Sequence, residues 1–373
     1  MIANRGSGHE PPQSGSPVVL KIGSSSLTRP DGAIDEDAIL RVVDQVRTLW
    51  DSGYPTVLVS SGAVAAGSPI LGGRPTDMTG LQVAAAVGQT LLMAQYSKAF
   101  ARAGRTVGQV LITLDILSRR SQYLHARGAL ERMLAAGIVP VVNENDTVAV
   151  EELKLGDNDR LAAIVSHLVA AGMLVILTDT DGLYSADPRS GEGEPILSVD
   201  HRDPLLDRLA SAPPGPMGSG GVATKIEAAR MAAWSGIPTV IARSTRSGVV
   251  SSIIRGEGTG TFVEPGRARL SARKLWLAFG QQPDGMVEID DGAVRALVKR
   301  GGSLLSVGVT RVRGEFMAGA AVEVRDTRGI LVGKGLVSAG SSDIRRWMGK
   351  RSADIGWDGE VVHRDRLVVL VEA

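Results

Sequence analysis

From Val18 onward the chain repeatedly sets a short β-branched run before a longer Ala/Leu/Arg-rich segment of helical period, the pattern of a parallel sheet covered by helices. The candidate strands are Val18 to Ile22, Thr56 to Val59, Val107 to Ile112, Ile138 to Val142, Leu174 to Leu177 and Thr239 to Ile241. Between them Asp35 to Trp50, Leu81 to Ala103, Arg119 to Ala136, Asp159 to Ala171 and Thr224 to Ser235 read as helices. Gly53, Gly104, Gly137, Gly172 and Gly236 follow helix ends, where a residue with positive φ is expected.

The rhythm changes after about Arg267. From Gly285 short Val-rich runs (Val322 to Val324, Leu331 to Val332, Val368 to Val371) alternate with Gly turns, and one helix stands out near Gly292 to Arg300. The expected organisation is a flexible polar tail over 1–16, an α/β domain over 17–266 with an open, mostly parallel sheet between helices, a linker over 267–284 and a small β-rich domain over 285–373.

Composition narrows the function classes. Hydrophobic residues are 43% and charged residues 22%, ordinary for a globular protein, and no apolar stretch has the length of a membrane span. Aromatics at 3% supply a poor base-stacking surface. A net charge of +1 gives no bulk attraction to nucleic acid or anionic lipid. Zero cysteines exclude disulfides, zinc-thiolate sites and a thiol nucleophile, and the five histidines are too scattered for a local metal motif. The polar start of the chain lacks a signal-peptide h-region, so the cytoplasm is the expected compartment.

Polar residues concentrate at the carboxyl ends of the strands, where open α/β sheets bind ligands. Lys21-Ile22-Gly23-Ser24-Ser25-Ser26 offers a cation, a flexible backbone and three hydroxyls, either for a phosphate or as an ordinary turn. Ser60 to Gly67 opens a helix whose small residues admit a carboxylate or phosphate, or simply permit tight packing. Asn143-Glu144-Asn145-Asp146 and Gly156-Asp157-Asn158-Asp159 put more carboxylates and amides beside apolar segments than helix capping requires. Thr178-Asp179-Thr180-Asp181 resembles a calcium loop but has Leu177 where the first Asp belongs, so a strand end with Asp179 or Asp181 available to a nucleotide is the better reading. The loop Gly215 to Lys225 leads into a helix with Lys225 in its first turn, unfavourable for the helix dipole unless an anion is near.

Two other signals fail. No G-x-x-x-x-G-K-[ST] occurs, which excludes a P-loop. His201-Arg202-Asp203 and His363-Arg364-Asp365 mimic a protein-kinase catalytic loop, but Arg208 and Leu370 stand where its Asn belongs.

Taken in order, these stations resemble the amino-acid kinase superfamily, most closely the bacterial glutamate 5-kinase family, from about Val18 to Phe262. The specific pieces are Val-Leu-Lys-Ile-Gly-Ser-Ser at 19 to 25, Ser61 to Gly67, Asn143 to Asp146, Gly156 to Asp159, Gly182 to Arg189 and Gly220 to Lys225. From about Gly285, with Asp291-Gly292-Ala293 and Gly301 to Leu305, the chain resembles a PUA domain, a small β-barrel-like module.

The resemblance implies ATP-dependent phosphorylation of the γ-carboxylate of L-glutamate, opening proline synthesis, with Mg²⁺ on the nucleotide, proline as a feedback inhibitor, and a homo-oligomer. It implies that Lys21 and Lys225 hold the transferring phosphoryl group with Asp159 orienting them. Ser61, Asp146 and Asn158 bind glutamate, supported by Asn143 and Asp157. Gly23, Ser24, Thr178, Asp179 and the loop Ser219, Gly220, Gly221, Val222, Ala223, Thr224, Lys225 contact ATP. The chain has Ser24 where Thr is frequent and Val222-Ala223 where Met-Ser is frequent; neither removes a charge. Sibling kinases acting on acetylglutamate, aspartate, carbamate or UMP are the alternative, as is an RNA-binding PUA protein. Residues 283–373 carry 14 Lys+Arg against 13 Asp+Glu, too balanced for strong phosphate-driven RNA binding.

Overall fold

The computed structural model describes residues 8–29, 32–148, 158–186, 193–211, 221–267, 269–357 and 359–371. They divide into two units, Met1–Arg269 and Leu270–Ala373.

The strands of the first unit are β1 (Val18–Ile22), β2 (Thr56–Ser60), β3 (Thr106–Ile112), β4 (Ile138–Glu144), β5 (Met173–Thr178), β6 (Ser198–Asp200), β7 (Thr239–Arg243) and β8 (Thr261–Glu264). They form one sheet of order β3-β4-β2-β1-β5-β7-β8-β6, parallel throughout except where β8 runs antiparallel to β7. Strands β1, β2 and β5 are buried on both faces, which is why they read as continuous apolar runs. Sequence periodicity does not reveal β6 and β8; at three and four residues they are too short to carry it.

The helices are α1 (Glu36–Asp51), α2 (Ala63–Gly67), α3 (Met78–Arg102), α4 (Arg120–Ala135), α5 (Asn158–Leu168), α6 (Pro204–Ala210), α7 (Val222–Trp234) and α8 (Val249–Ile254). Strand alternation sends Val18, Leu20 and Ile22 to the face covered by α1, α3 and α8. It turns Lys21 toward the opposite face, where α5 packs on β1 and α7 packs on α5. Strand β1 is flanked by β2 and β5, the latter reached only after the chain has laid down β3 and β4 on the far side. That reversal of direction opens a crevice at the strand tips beside β1.

Helices α2 and α3 touch backbone to backbone. A Cβ at Gly88 would lie 1.8 Å from the Ala63 carbonyl oxygen, and one at Gly67 would lie 1.9 Å from that of Ala84. The Gly and Ala of 62–67 therefore serve packing, while Ser61 is left at the tip of β2.

Three expectations change. The segment read as a flexible tail packs onto the first unit from Gly8: the His9 ring stacks on Phe262 at 4.7 Å, and Tyr54 donates to the Pro12 carbonyl at 3.2 Å. Gly53, Gly104, Gly137 and Gly236 do adopt positive φ, but after α5 the left-handed residue is Ala170 (φ 48°). Gly172 instead makes room, since a Cβ there would sit 2.1 Å from Ser16 Oγ. Residues 272–280, inside the expected linker, are helical: α9 (Ala272–Leu275) runs into a π turn, and Leu277 and Ala278 pack against Val368.

The second unit holds β9 (Gly285–Ile289), β10 (Val309–Arg313), β11 (Ala321–Asp326), β12 (Leu331–Leu336) and β13 (Leu367–Val369) in the order β10-β9-β11-β12-β13. Helix α10 (Asp291–Arg300) is capped by the Asp290 side chain and stopped by Gly301 at φ 59°. A second helix, α11 (Ser341–Trp347), adds Ile344 to a core of Val287, Ile289, Leu297, Val322 and Val324. No helix among the described residues is long and apolar enough to cross a membrane.

Candidate active site

The crevice gathers the tips of β1, β2, β4 and β5 and the first turns of α5 and α7. Its centre is Asp159, 2% exposed, in the first turn of α5, where the helix dipole favours a negative charge. Lys21 Nζ lies 2.5 Å from Asp159 Oδ1, and Lys225 Nζ lies 3.2 Å from Oδ2. Thr224 donates to the same Oδ2 at 2.8 Å. Burial alone would raise the Asp159 pKa, but the two ammonium groups outweigh it and hold the carboxyl below its ordinary range. Asp159 is thus a carboxylate at neutral pH, set between two lysine side chains.

Gly23 lies beside the buried ammonium of Lys21: a Cβ there would stand 3.5 Å from Lys21 Nζ. Helix α7 starts at Val222 behind Gly221 with no side-chain cap, so its first N–H groups are offered outward, and Val222 and Ala223 are exposed. Ser24 begins a short 3-10 turn after β1. Thr178 is buried at the tip of β5 and donates to Asp179 at 3.0 Å, leaving Asp179 at the surface. Asp181 is instead engaged by Arg243 through two hydrogen bonds of 2.8 and 3.0 Å. The expected positions Asp157, Ser219 and Gly220 lie outside the described residues.

The second cluster is made of amides. Asn158 Nδ2 donates to Ser61 Oγ at 2.9 Å and to Asn143 Oδ1 at 3.0 Å, over the tips of β2 and β4. Asn143 Nδ2 donates to Gln89 Oε1 at 2.8 Å. Asp146 opens the 3-10 turn after β4; burial, with no compensating cation, pushes its pKa up to about 6. Among the described residues Asp146 Oδ1 and Asn158 Oδ1 are buried acceptors without a hydrogen-bond partner. Buried polar atoms in this state are costly unless something else satisfies them.

The geometry therefore brings together Lys21, Asp159, Thr224 and Lys225, and separately Ser61, Asn143 and Asn158. Gln89 is absent from the sequence reading. Its signal is nonetheless present: it occupies a position of the buried stripe Ala85, Gln89, Leu92, Tyr96 of α3, where an apolar residue is expected.

Comparison with known proteins agrees with this arrangement. The sequence model of the amino acid kinase family matches residues 16–243, and that of the PUA domain matches 285–356. Glutamate 5-kinase of Frankia casuarinae is 45% identical over 95% of this chain and 97% of its own length. Glutamate 5-kinase of Streptomyces avermitilis is 45% identical over 95% and 96%. The chain belongs to the glutamate 5-kinase family. Carbamate kinase from Giardia lamblia, solved with AMP-PNP, shares the fold, with a TM-score of 0.50 at 13% identity over 67% of this chain and 99% of that one. The matched region, residues 16–243, holds every residue of both clusters.

Proposed function

We propose that this chain transfers the γ-phosphoryl group of ATP to the γ-carboxylate of L-glutamate, forming γ-glutamyl phosphate and ADP, the activation that opens proline synthesis. The observation that carries the choice of acceptor is that Asp146 Oδ1 and Asn158 Oδ1 are buried acceptors without a hydrogen-bond partner among the described residues. A free α-ammonium satisfies both and compensates the buried charge of Asp146. Acetylglutamate, carbamate and UMP have no such group, so the site favours a free amino acid.

The reaction needs alignment and charge neutralisation more than proton transfer. The γ-carboxylate is ionised at neutral pH, so its oxygen attacks the γ-phosphorus without a general base while the bond to the bridging oxygen of ADP breaks. Lys21 and Lys225, fixed on opposite oxygens of Asp159, face the charge that spreads over the transferring phosphoryl oxygens. Gly23, Ser24 and the N–H groups at the start of α7 are proposed to receive the ATP phosphates, with Ser219 and Gly220 in the loop before it. Thr178 and Asp179 are proposed to border the rest of the nucleotide. Mg²⁺ is proposed to enter with ATP, neutralising charge between its phosphates. Ser61, Asn158 and Asp146 are proposed to hold the amino-acid end of glutamate, with Asn143 behind them and Asp157 proposed as a further support.

Proline carries the same ammonium and carboxylate without a γ-carboxylate, so it is proposed to occupy this pocket unreactively. An acceptor screen with Mg·ATP across glutamate, acetylglutamate, aspartate, carbamate and UMP, reading ADP release, should give turnover with glutamate, inhibited by proline in competition with it. Preference for acetylglutamate or UMP would sink the assignment, and proline inhibition indifferent to glutamate concentration would sink the shared pocket.

A further inference from the structure

The orientation of three buried side-chain amides in this pocket follows from the backbone groups they meet. The Glu144 N–H donates to one atom of the Asn143 side chain at 2.9 Å, and since a backbone N–H can only donate, that atom is Oδ1. Asn143 therefore presents Nδ2 to Gln89, which must answer with Oε1 at 2.8 Å. Asn158 must likewise approach Asn143 Oδ1 with its Nδ2, at 3.0 Å. Its own Oδ1 is left as an acceptor with no partner among the described residues.

Asn143 is oriented by the Glu144 N–H, and Asn158 is oriented also by the Ser60 carbonyl, which accepts from its Nδ2 at 3.4 Å, whereas Gln89 at the far end is held by α3. Gln89 is 9% exposed, and its neighbour Gly88 lets α3 come into backbone contact with α2 directly after Ser61. A polar side chain at this depth is costly unless it is hydrogen-bonded; here Gln89 Oε1 is bonded to Asn143, while its Nε2 has no partner among the described residues.

We infer that Gln89 is a positioning residue for the amino-acid substrate: by accepting from Asn143 Nδ2 it holds Asn143, and through it Asn158, so that Asn158 Oδ1 faces the substrate ammonium. This rests on the functional reading above and adds to it a residue that touches no substrate. Without the Gln89 oxygen, Asn143 Nδ2 loses its buried acceptor, and the Asn143 side chain gains freedom to rotate away from Asn158. The effect falls on amino-acid binding, because this chain of amides ends at Asn158 and Ser61, whereas Lys21 and Lys225 are held on Asp159.

The test is a double-mutant cycle in the full chain, by steady-state kinetics with Mg·ATP and glutamate. Gln89→Met keeps the volume and removes the acceptor; it should raise KM for glutamate about tenfold while kcat and KM for ATP stay within roughly threefold. Asn143→Ala should raise it further, and the double variant should match Asn143→Ala alone within roughly twofold. A parent-like KM in Gln89→Met overturns the inference. So does a double variant in which the two losses multiply, since Gln89 would then act independently of Asn143. A general loss of kcat and of ATP affinity together would mark a merely structural role and also overturn it. If Gln89→Met does not fold, as read by circular dichroism, Gln89→Ala carries the same cycle. Turnover of the parent with glutamate tests the functional reading itself, whereas the cycle compares variants of that active parent, so the two failures are distinct.

Discussion

Replacing Lys21 or Lys225 by alanine is expected to lower kcat about 10²-fold, corresponding to about 3 kcal/mol of lost transition-state stabilisation. Each ammonium sits on a different oxygen of one buried carboxylate, so neither can take over the other's place. The two substitutions differ in their cost to folding. Lys21 is the more deeply buried cation, and its loss leaves Asp159, among the described residues, with Lys225 and Thr224. Lys21→Ala should therefore lower the denaturation midpoint more than Lys225→Ala, with kcat measured on protein shown to be folded. Parent-like kcat in both variants would contradict the phosphoryl-site assignment, whatever their stability.

Asp146→Asn should separate stability from function in the opposite sense. Between the ordinary value of 3.8 and about 6, the folded protein holds a proton that the unfolded chain releases. Stability therefore falls as pH rises through that window, and at neutral pH the ionised Asp146 destabilises the ligand-free protein by about 3 kcal/mol. The amide, which has no charge to desolvate, should recover much of this in a denaturant titration at pH 7. The same substitution removes the carboxylate proposed to meet the substrate ammonium, so kcat/KM for glutamate should drop about 10²-fold. In the parent, kcat/KM should decline below about pH 6 as Asp146 takes up its proton, and that limb should be missing from Asp146→Asn. A variant no more stable than the parent, or one that keeps glutamate affinity, would remove Asp146 from the pocket.

Much of this architecture was legible because it depends on local pattern. Continuous apolar runs marked β1, β2 and β5, and polar residues after them fell at the strand tips that a parallel sheet brings together. What was not legible depends on distant partners. Strands β6 and β8 gain their structure from each other and from β7, since neither is long enough for a period. Residues 8–17 look like tail because their composition is polar, yet His9 finds Phe262 and the Ile253 carbonyl about 250 residues away, where its pKa is lowered mainly by burial. Ala170 takes the left-handed turn expected of a glycine because Gly172 is required elsewhere, against Ser16. Within the site, charged motifs announced Lys21, Asp159 and Lys225, but Gln89 lies in an Ala-rich helix far from any motif, and only its bond to Asn143 gives it meaning. Tight packing was one of two readings of residues 60–67; the contacts of Gly67 and Gly88 show that packing of α2 on α3, and they leave the ligand reading of Ser61 open.

The central claim is that the acyl phosphate forms on the γ-carboxylate of free glutamate. Running the reaction with Mg·ATP, glutamate and hydroxylamine traps such a product as γ-glutamyl hydroxamate. The account predicts hydroxamate formed in step with ADP, only when glutamate is present, and lost in Lys225→Ala. ADP accompanied by inorganic phosphate with no hydroxamate, or hydroxamate formed from acetylglutamate in preference to glutamate, would contradict it.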